Sequence, residues 1–167
     1  MPDEKKPGGA GPVGPAEVAH FDKPVKVLVV QAGPETAVNA ALAEGARAVL
    51  AAAGVEIEEI AVLGMADLPQ ALALAERMQD FDAYVALGAV IDSPSIWGEV
   101  ARALSALGMS GALNGNGVVL AETAEEALEM ADPKGIDVGG GAARSALSLV
   151  ALARGWSETT KGIGFRA

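Results

Sequence analysis

Apolar and polar positions along this chain switch repeatedly between two periods. Val25-Lys-Val-Leu-Val-Val30 is a short β-branched run and reads as a first strand. After a turn over Gln31 to Glu35, apolar residues recur at helical spacing from Thr36 to Ala53, and Gly54 stops that helix. Val55 to Val62 leads into a second strand. Pro69 lies near the start of the next helix, where a missing N–H removes no intrahelical bond, and the helix runs to about Gln79. Tyr84 to Val90 is apolar without alternation, the pattern of a central parallel strand covered on both faces. A helix from about Ser95 to Leu107 and a strand near Gly117 to Leu120 follow. Thr123 and Glu126 then form a capping box for a helix that ends before Pro133. The last helix is expected over Ala142 to Arg154, ending at Gly155. Strands alternating with helices predict an α/β fold, a three-layer sandwich on a four-stranded, mainly parallel sheet.

The flanks differ from this core. Residues 1–23 are rich in Pro, Gly and charge and read as a flexible arm; 24–156 form the domain, and 157–167 a polar tail. A chain of 167 residues suits one domain. Only 4% of residues are aromatic, so large core side chains are scarce, and close helix packing or burial against a partner subunit would compensate.

Charge narrows the partners. The formal net charge of -10 opposes binding to nucleic acid and to anionic membrane. Cysteine is absent, which excludes disulfides, thiolate nucleophiles and Cys-ligated metal. His20 is the only histidine, so no metal site is expected, and no cofactor motif is present. No signal segment or membrane-length apolar run appears, and a cytoplasmic protein is the default expectation.

Candidate chemistry gathers at the strand ends. In parallel α/β proteins the loops Gln31–Pro34, Leu63–Pro69 and Ala89–Pro94 fall at one sheet edge, and Gly33, Gly64 and Gly88 allow close backbone approach there. Asp67 serves either as a helix cap or as an acceptor for ligand hydroxyls. Asp92 and Ser93, ahead of Pro94, read as a helix cap, with Asp92 alternatively a general base. Trp97 is either a helix-packing anchor or part of a pocket wall or subunit contact. Gly139-Gly-Gly141 opens the last helix as a flexible connection or a phosphate cradle, with Lys134 and Arg144 as the nearest cations. No His, Cys, Arg or Lys lies between Leu87 and Ala101, so the strand-to-helix junction lacks the usual proton-transfer groups.

Several blocks, in order, resemble lumazine synthase, the riboflavin-pathway enzyme family. They are Gly45-Ala46, Gly64 with Asp67-Leu-Pro69, Tyr84-Val-Ala-Leu-Gly-Ala-Val-Ile91, Gly117-Val-Val119, Thr123-Ala-Glu-Glu-Ala127 and Ser145-Ala146. The likeness spans roughly Val25 to Gly155. It implies a flavodoxin-like sheet, a cytoplasmic homo-oligomer (a pentamer or larger) and a site between neighbouring subunits for a pyrimidine or flavin-like small molecule. The family's transferase reaction joins a ribitylamino-pyrimidinedione to a butanone phosphate, giving 6,7-dimethyl-8-ribityllumazine.

The resemblance implies that Met65, Ala66, Asp67, Ala89, Val90, Ile91 and Asn116 line the substrate site, with Asp67 toward the ribityl hydroxyls. Lys134 and Arg144 are the candidates for phosphate. The chain departs from the family motif at several places. Gln31-Ala-Gly-Pro34 lacks the stacking aromatic, Ala66 replaces Phe, and Asp92 replaces Arg. The histidine is absent after a shortened segment, Asn116 stands for an aromatic, Met130 for an arginine and Val138 for a lysine. On those departures the expected function is an oligomeric assembly or small-molecule binding protein with weak or no standard activity. The alternative is an active lumazine synthase, or a related transferase of changed specificity.

Overall fold

A computed structural model describes residues 20–34 and 36–161. Four strands, β1 (Lys26–Ala32), β2 (Glu56–Val62), β3 (Ala83–Ile91) and β4 (Asn114–Ala121), form one parallel sheet in the order β2-β1-β3-β4. The described residues also hold five helices: α1 (Ala37–Ala52), α2 (Asp67–Met78), α3 (Pro94–Met109), α4 (Ala124–Ala131) and α5 (Val138–Lys161). The predicted three-layer sandwich is the observed one.

Side-chain alternation on the strands sorts the core into two layers. Val27, Val29, Val85, Leu87 and Val119 face α1, α4 and α5 and pack on Leu42, Ala46, Leu50, Ala127 and Leu147. Leu28, Val30, Tyr84, Ala86, Val90 and Val118 face α2 and α3 and pack on Leu68, Leu72, Val100 and Leu104. The one tyrosine sits in this second layer. Its hydroxyl donates to Glu76 Oε2 at 2.7 Å, and burial, followed by that carboxylate, pushes its pKa up.

Local signals set the helix starts. Thr36 caps α1 by accepting the Asn39 N–H at 3.2 Å. Thr123 accepts the Glu126 N–H at 3.1 Å, while Glu126 reaches back to the Glu122 N–H at 2.8 Å, one residue before the cap. Ser93, at the cap of α3, makes no side-chain capping bond.

The largest difference from expectation is α5. It begins at Val138, not Ala142, and continues through Gly155 to Lys161. Gly139-Gly-Gly141 therefore lies inside the helix, and tertiary packing explains why. A Cβ at 139 would overlap the carbonyl of Leu42, and one at 140 would overlap the Asp137 carboxylate. On β4, a Cβ at 115 would overlap the carbonyl of Ala142. Glycine at these places lets α5 lie against α1 and the sheet at backbone distance, which suits a chain short of large side chains. β4 likewise begins at Asn114, earlier than its Gly-containing sequence suggests. No helix among the described residues is long and apolar enough to cross a membrane.

At the free β2 edge, Arg47 of α1 pairs side-on with Glu59, its Nη2 2.7 Å from Oε2. The hydrogen bond from Arg47 is the main reason the Glu59 carboxyl is held below its ordinary 4.5, against a smaller opposing effect of burial. A carboxyl with a lowered folded pKa stabilises above its unfolded value and loses that contribution as pH falls. Both groups are partly exposed, so Glu59→Gln is expected to cost only ~0.5 kcal/mol at neutral pH after solvent screening. The difference from wild type should vanish in urea melts run well below pH 4.5.

Candidate active site at the carboxyl edge of the sheet

The strand order places a topological switch between β1 and β3: the chain leaves β1 for β2 on one side and then returns to β3 on the other. Crossover helices leave such a point uncovered, and ligands of parallel α/β proteins bind there. The β1–α1 turn and the β3–α3 junction are its two walls. The β2–α2 loop reaches toward it from β2.

That loop is internally braced. Asp67 is the first residue of α2, and its Oδ2 accepts the Gly64 N–H at 2.9 Å. Asp67 thus ties down its own loop, while the half-buried carboxylate stays at the helix N-terminus, where the dipole favours an anion. Ala66 is exposed, and its carbonyl accepts from Gln70 Nε2 at 3.0 Å. The Met65 thioether packs against β3 at Gly88. A Cβ at Gly88 would stand 2.9 Å from Met65 Sδ and 3.5 Å from the Ala32 Cβ. Gly88 is therefore the gap that admits Met65.

On the β3 side, Val90 is buried toward α2 and α3, Ala89 is half-buried on the opposite face, and Ile91 is exposed at the strand end. Asp92 follows with φ 49, a left-handed conformation uncommon outside glycine, and donates its N–H to the Ala121 carbonyl at 2.8 Å. This aims the chain sharply from the strand into α3. Trp97 packs in the α2–α3 layer, and its Nε1 donates to the Val118 carbonyl at 2.8 Å.

On the β1 side, the polar residue Asn39 is buried, 3% exposed. Its Nδ2 donates to the carbonyls of Ala32 and Pro34 at 3.1 and 2.8 Å. Its Oδ1 is buried and accepts no hydrogen bond from the described residues. An unpaired buried acceptor costs about 1–3 kcal/mol, which offsets much of what the two donated bonds contribute. Gly33, at φ 87, links the same turn to β2 by donating to the Val62 carbonyl at 3.0 Å.

Asn116 lies elsewhere. It pairs with Ala86 in mid-sheet on β4, and its Oδ1 accepts the Val118 N–H at 2.9 Å. It borders a groove of about 720 Å³ between α3 and α5 that also includes Asn114, Gly141 and Ser145. β2 and β4 are opposite edges of the sheet, so within one chain Asp67 and Asn116 stand apart. The two candidate cations are separate again. Lys134 borders a cleft with Glu44, Glu125, Glu129 and Asp132. Arg144 Nη2 donates to Asp137 Oδ2 at 3.1 Å, an ion pair at the start of α5.

Two residues absent from the sequence expectations shape their surroundings, Asn39 at this edge and Asp137 at the start of α5. Asn39 had a visible signal, a polar side chain on the buried stripe of α1 between Val38 and Leu42. Asp137 had less. Its φ of 55, the Gly140 N–H it accepts at 3.0 Å and the space it takes beside Gly45 depend on tertiary structure.

The 6,7-dimethyl-8-ribityllumazine synthase family matches residues 24–154. A protein of that name from Jannaschia sp. (strain CCS1) is 42% identical over 151 residues, spanning 87% of this chain and 85% of the relative. One from Novosphingobium aromaticivorans is 44% identical over 137 residues, spanning 79% of this chain and 99% of the relative. One from Methylorubrum extorquens (strain PA1) is 36% identical over 165 residues, spanning 92% and 95%. These findings overturn the expectation of an assembly or binding protein with weak or no standard activity. Identity of 36–44% runs through the whole α/β domain of proteins that carry the synthase name, and a handful of strand-end exchanges does not outweigh it. On the extent and level of this match, the chain belongs to the 6,7-dimethyl-8-ribityllumazine synthase family.

Proposed function

We propose that the chain is a 6,7-dimethyl-8-ribityllumazine synthase, joining a ribitylamino-pyrimidinedione to a butanone phosphate in riboflavin biosynthesis. The observation that carries this reading is the family match over residues 24–154, the whole sheet and its helices as far as the middle of α5. The reaction condenses a vicinal diamine with a four-carbon ketose phosphate and releases one phosphate and two waters. Much of its acceleration comes from holding the two reactants together.

In this reading Asp67 accepts the ribityl hydroxyls, Met65 and Ala66 flank them, and the Ala89-Val90-Ile91 strand end supports the pyrimidine ring. Asp92 and water move the protons, since no histidine is available between Leu87 and Ala101. Asn116 joins from a neighbouring copy, because one chain keeps the β2 and β4 edges apart. A homo-oligomer, pentameric or larger, supplies that neighbour. Lys134 or Arg144 of the same assembly supplies the positive charge for phosphate.

The test is direct. The purified full-length chain is mixed with both substrates, and the fluorescent lumazine is followed. Formation proportional to protein and saturable in both substrates is the expected result. A rate no faster than spontaneous condensation refutes the proposal. Turnover that needs a different four-carbon partner would instead support a related transferase, a second reading favoured by the acidic Asp92 where the family motif carries arginine.

A further inference from the structure

We infer that Asn39 is a positioning residue for the pyrimidine substrate, holding residues 32–34 after β1 as a preset wall of the switch crevice. The inference rests on the synthase reading for the identity of the ligand, but its geometry does not. β1 lies between β2 and β3, so its turn is the wall that any occupant of the switch crevice meets. Residues 32–34 are held from two sides. Gly33 fixes them to β2 through the Val62 carbonyl at 3.0 Å, and Asn39 fixes them to α1 through two carbonyls at 3.1 and 2.8 Å.

What separates this from ordinary helix capping is the other half of the amide. Thr36 already caps α1 by accepting the Asn39 N–H at 3.2 Å, so the Asn39 side chain is not needed for that. Asn39 Oδ1 is buried without a partner among the described residues. An apolar residue would avoid that penalty. The side chain thus gives the turn its shape with little net gain in stability, an arrangement found where shape serves a site.

The variants are Asn39→Ala and Asn39→Asp, the second keeping the shape but replacing both donors with a carboxylate oxygen. Hydrogen exchange on the free full-length protein reads the turn. The Gly33 amide should exchange about tenfold faster in both variants, with the Leu28 amide in mid-strand unchanged. Steady-state kinetics read the site. KM for the pyrimidine should rise about tenfold while kcat stays within about twofold, the pattern of lost ground-state positioning. The urea midpoint of Asn39→Ala should fall only modestly, because loss of the orphaned acceptor offsets part of the cost of leaving the Ala32 and Pro34 carbonyls without their donor.

Unchanged Gly33 exchange, or unchanged KM beside faster exchange, overturns the inference. So does a KM change that merely tracks a large drop in midpoint. If the wild-type chain makes no lumazine, the synthase reading and the pyrimidine assignment fall together, and the Gly33 exchange alone then decides whether Asn39 sets the turn.

Discussion

Gly139→Ala should destabilise the protein by at least ~3 kcal/mol, while Gly141→Ala, two residues along the same helix, should stabilise it by up to ~1 kcal/mol. The opposite signs follow from what each new methyl meets. At 139 it runs into the carbonyl of Leu42, a backbone group inside α1 that cannot swing away. Relief requires α5 to lift from α1, which opens the layer containing Leu42, Ala46, Ala143 and Leu147. At 141 no atom lies within 4 Å, so only the gain in helix propensity remains. Gly140→Ala falls between, at about 1–3 kcal/mol, because its methyl displaces the Asp137 carboxylate and breaks bonds to the Gly140 N–H and Arg144. Urea melts of the three variants give the ranking. Three equal losses would mean that the glycines serve a common loop or cradle and not helix packing.

The same triplet shows what the chain discloses of itself and what it withholds. Strands β1 and β3 and helices α1 to α4 are legible because hydrophobic period, caps and breakers agree there, as at Thr36, Gly54 and Thr123. The start of α5 and most of β4 are hidden because glycine is a poor former of both elements. Only the close approach of Leu42 to Gly139 and of Ala142 to Gly115 reveals why glycine is used. The strand-end loops were legible as a group, since parallel topology sends them to one edge. Their division was not. Strand order is absent from any local pattern, and it is the order β2-β1-β3-β4 that sets Asn116 and Asp67 on opposite edges and gives the β1–α1 turn its central place. Arg144 read as a free cation near a glycine run. Its pairing with Asp137 depends on the left-handed φ of 55 at that aspartate.

Asp67→Ala should lower kcat/KM for lumazine formation about 100-fold, and Asp67→Asn about tenfold. On the proposed synthase reading the carboxylate has two tasks, and the variants separate them. Its Oδ2 holds the Gly64 N–H at 2.9 Å, a bond that an asparagine oxygen can still accept but an alanine cannot. Asn therefore keeps the loop and loses only the charge, which weakens hydrogen bonds from polyol hydroxyls; a charged acceptor contributes about 1.5–3 kcal/mol to such a bond against about 0.5–1.5 for a neutral one. Ala loses both, and the freed loop no longer holds Met65 over Gly88, so positioning is lost together with contact. Asp67→Glu keeps the charge on a longer stem and should retain most of the activity, which ties the effect to the carboxylate and not to loop damage. The loss should sit mainly in KM for the ribityl-bearing substrate, with KM for the four-carbon partner little changed, because the polyol belongs only to the first. Equal losses in Asn and Ala would show that charge alone matters. Activity of Asp67→Ala within about twofold of wild type would remove the residue from the site altogether.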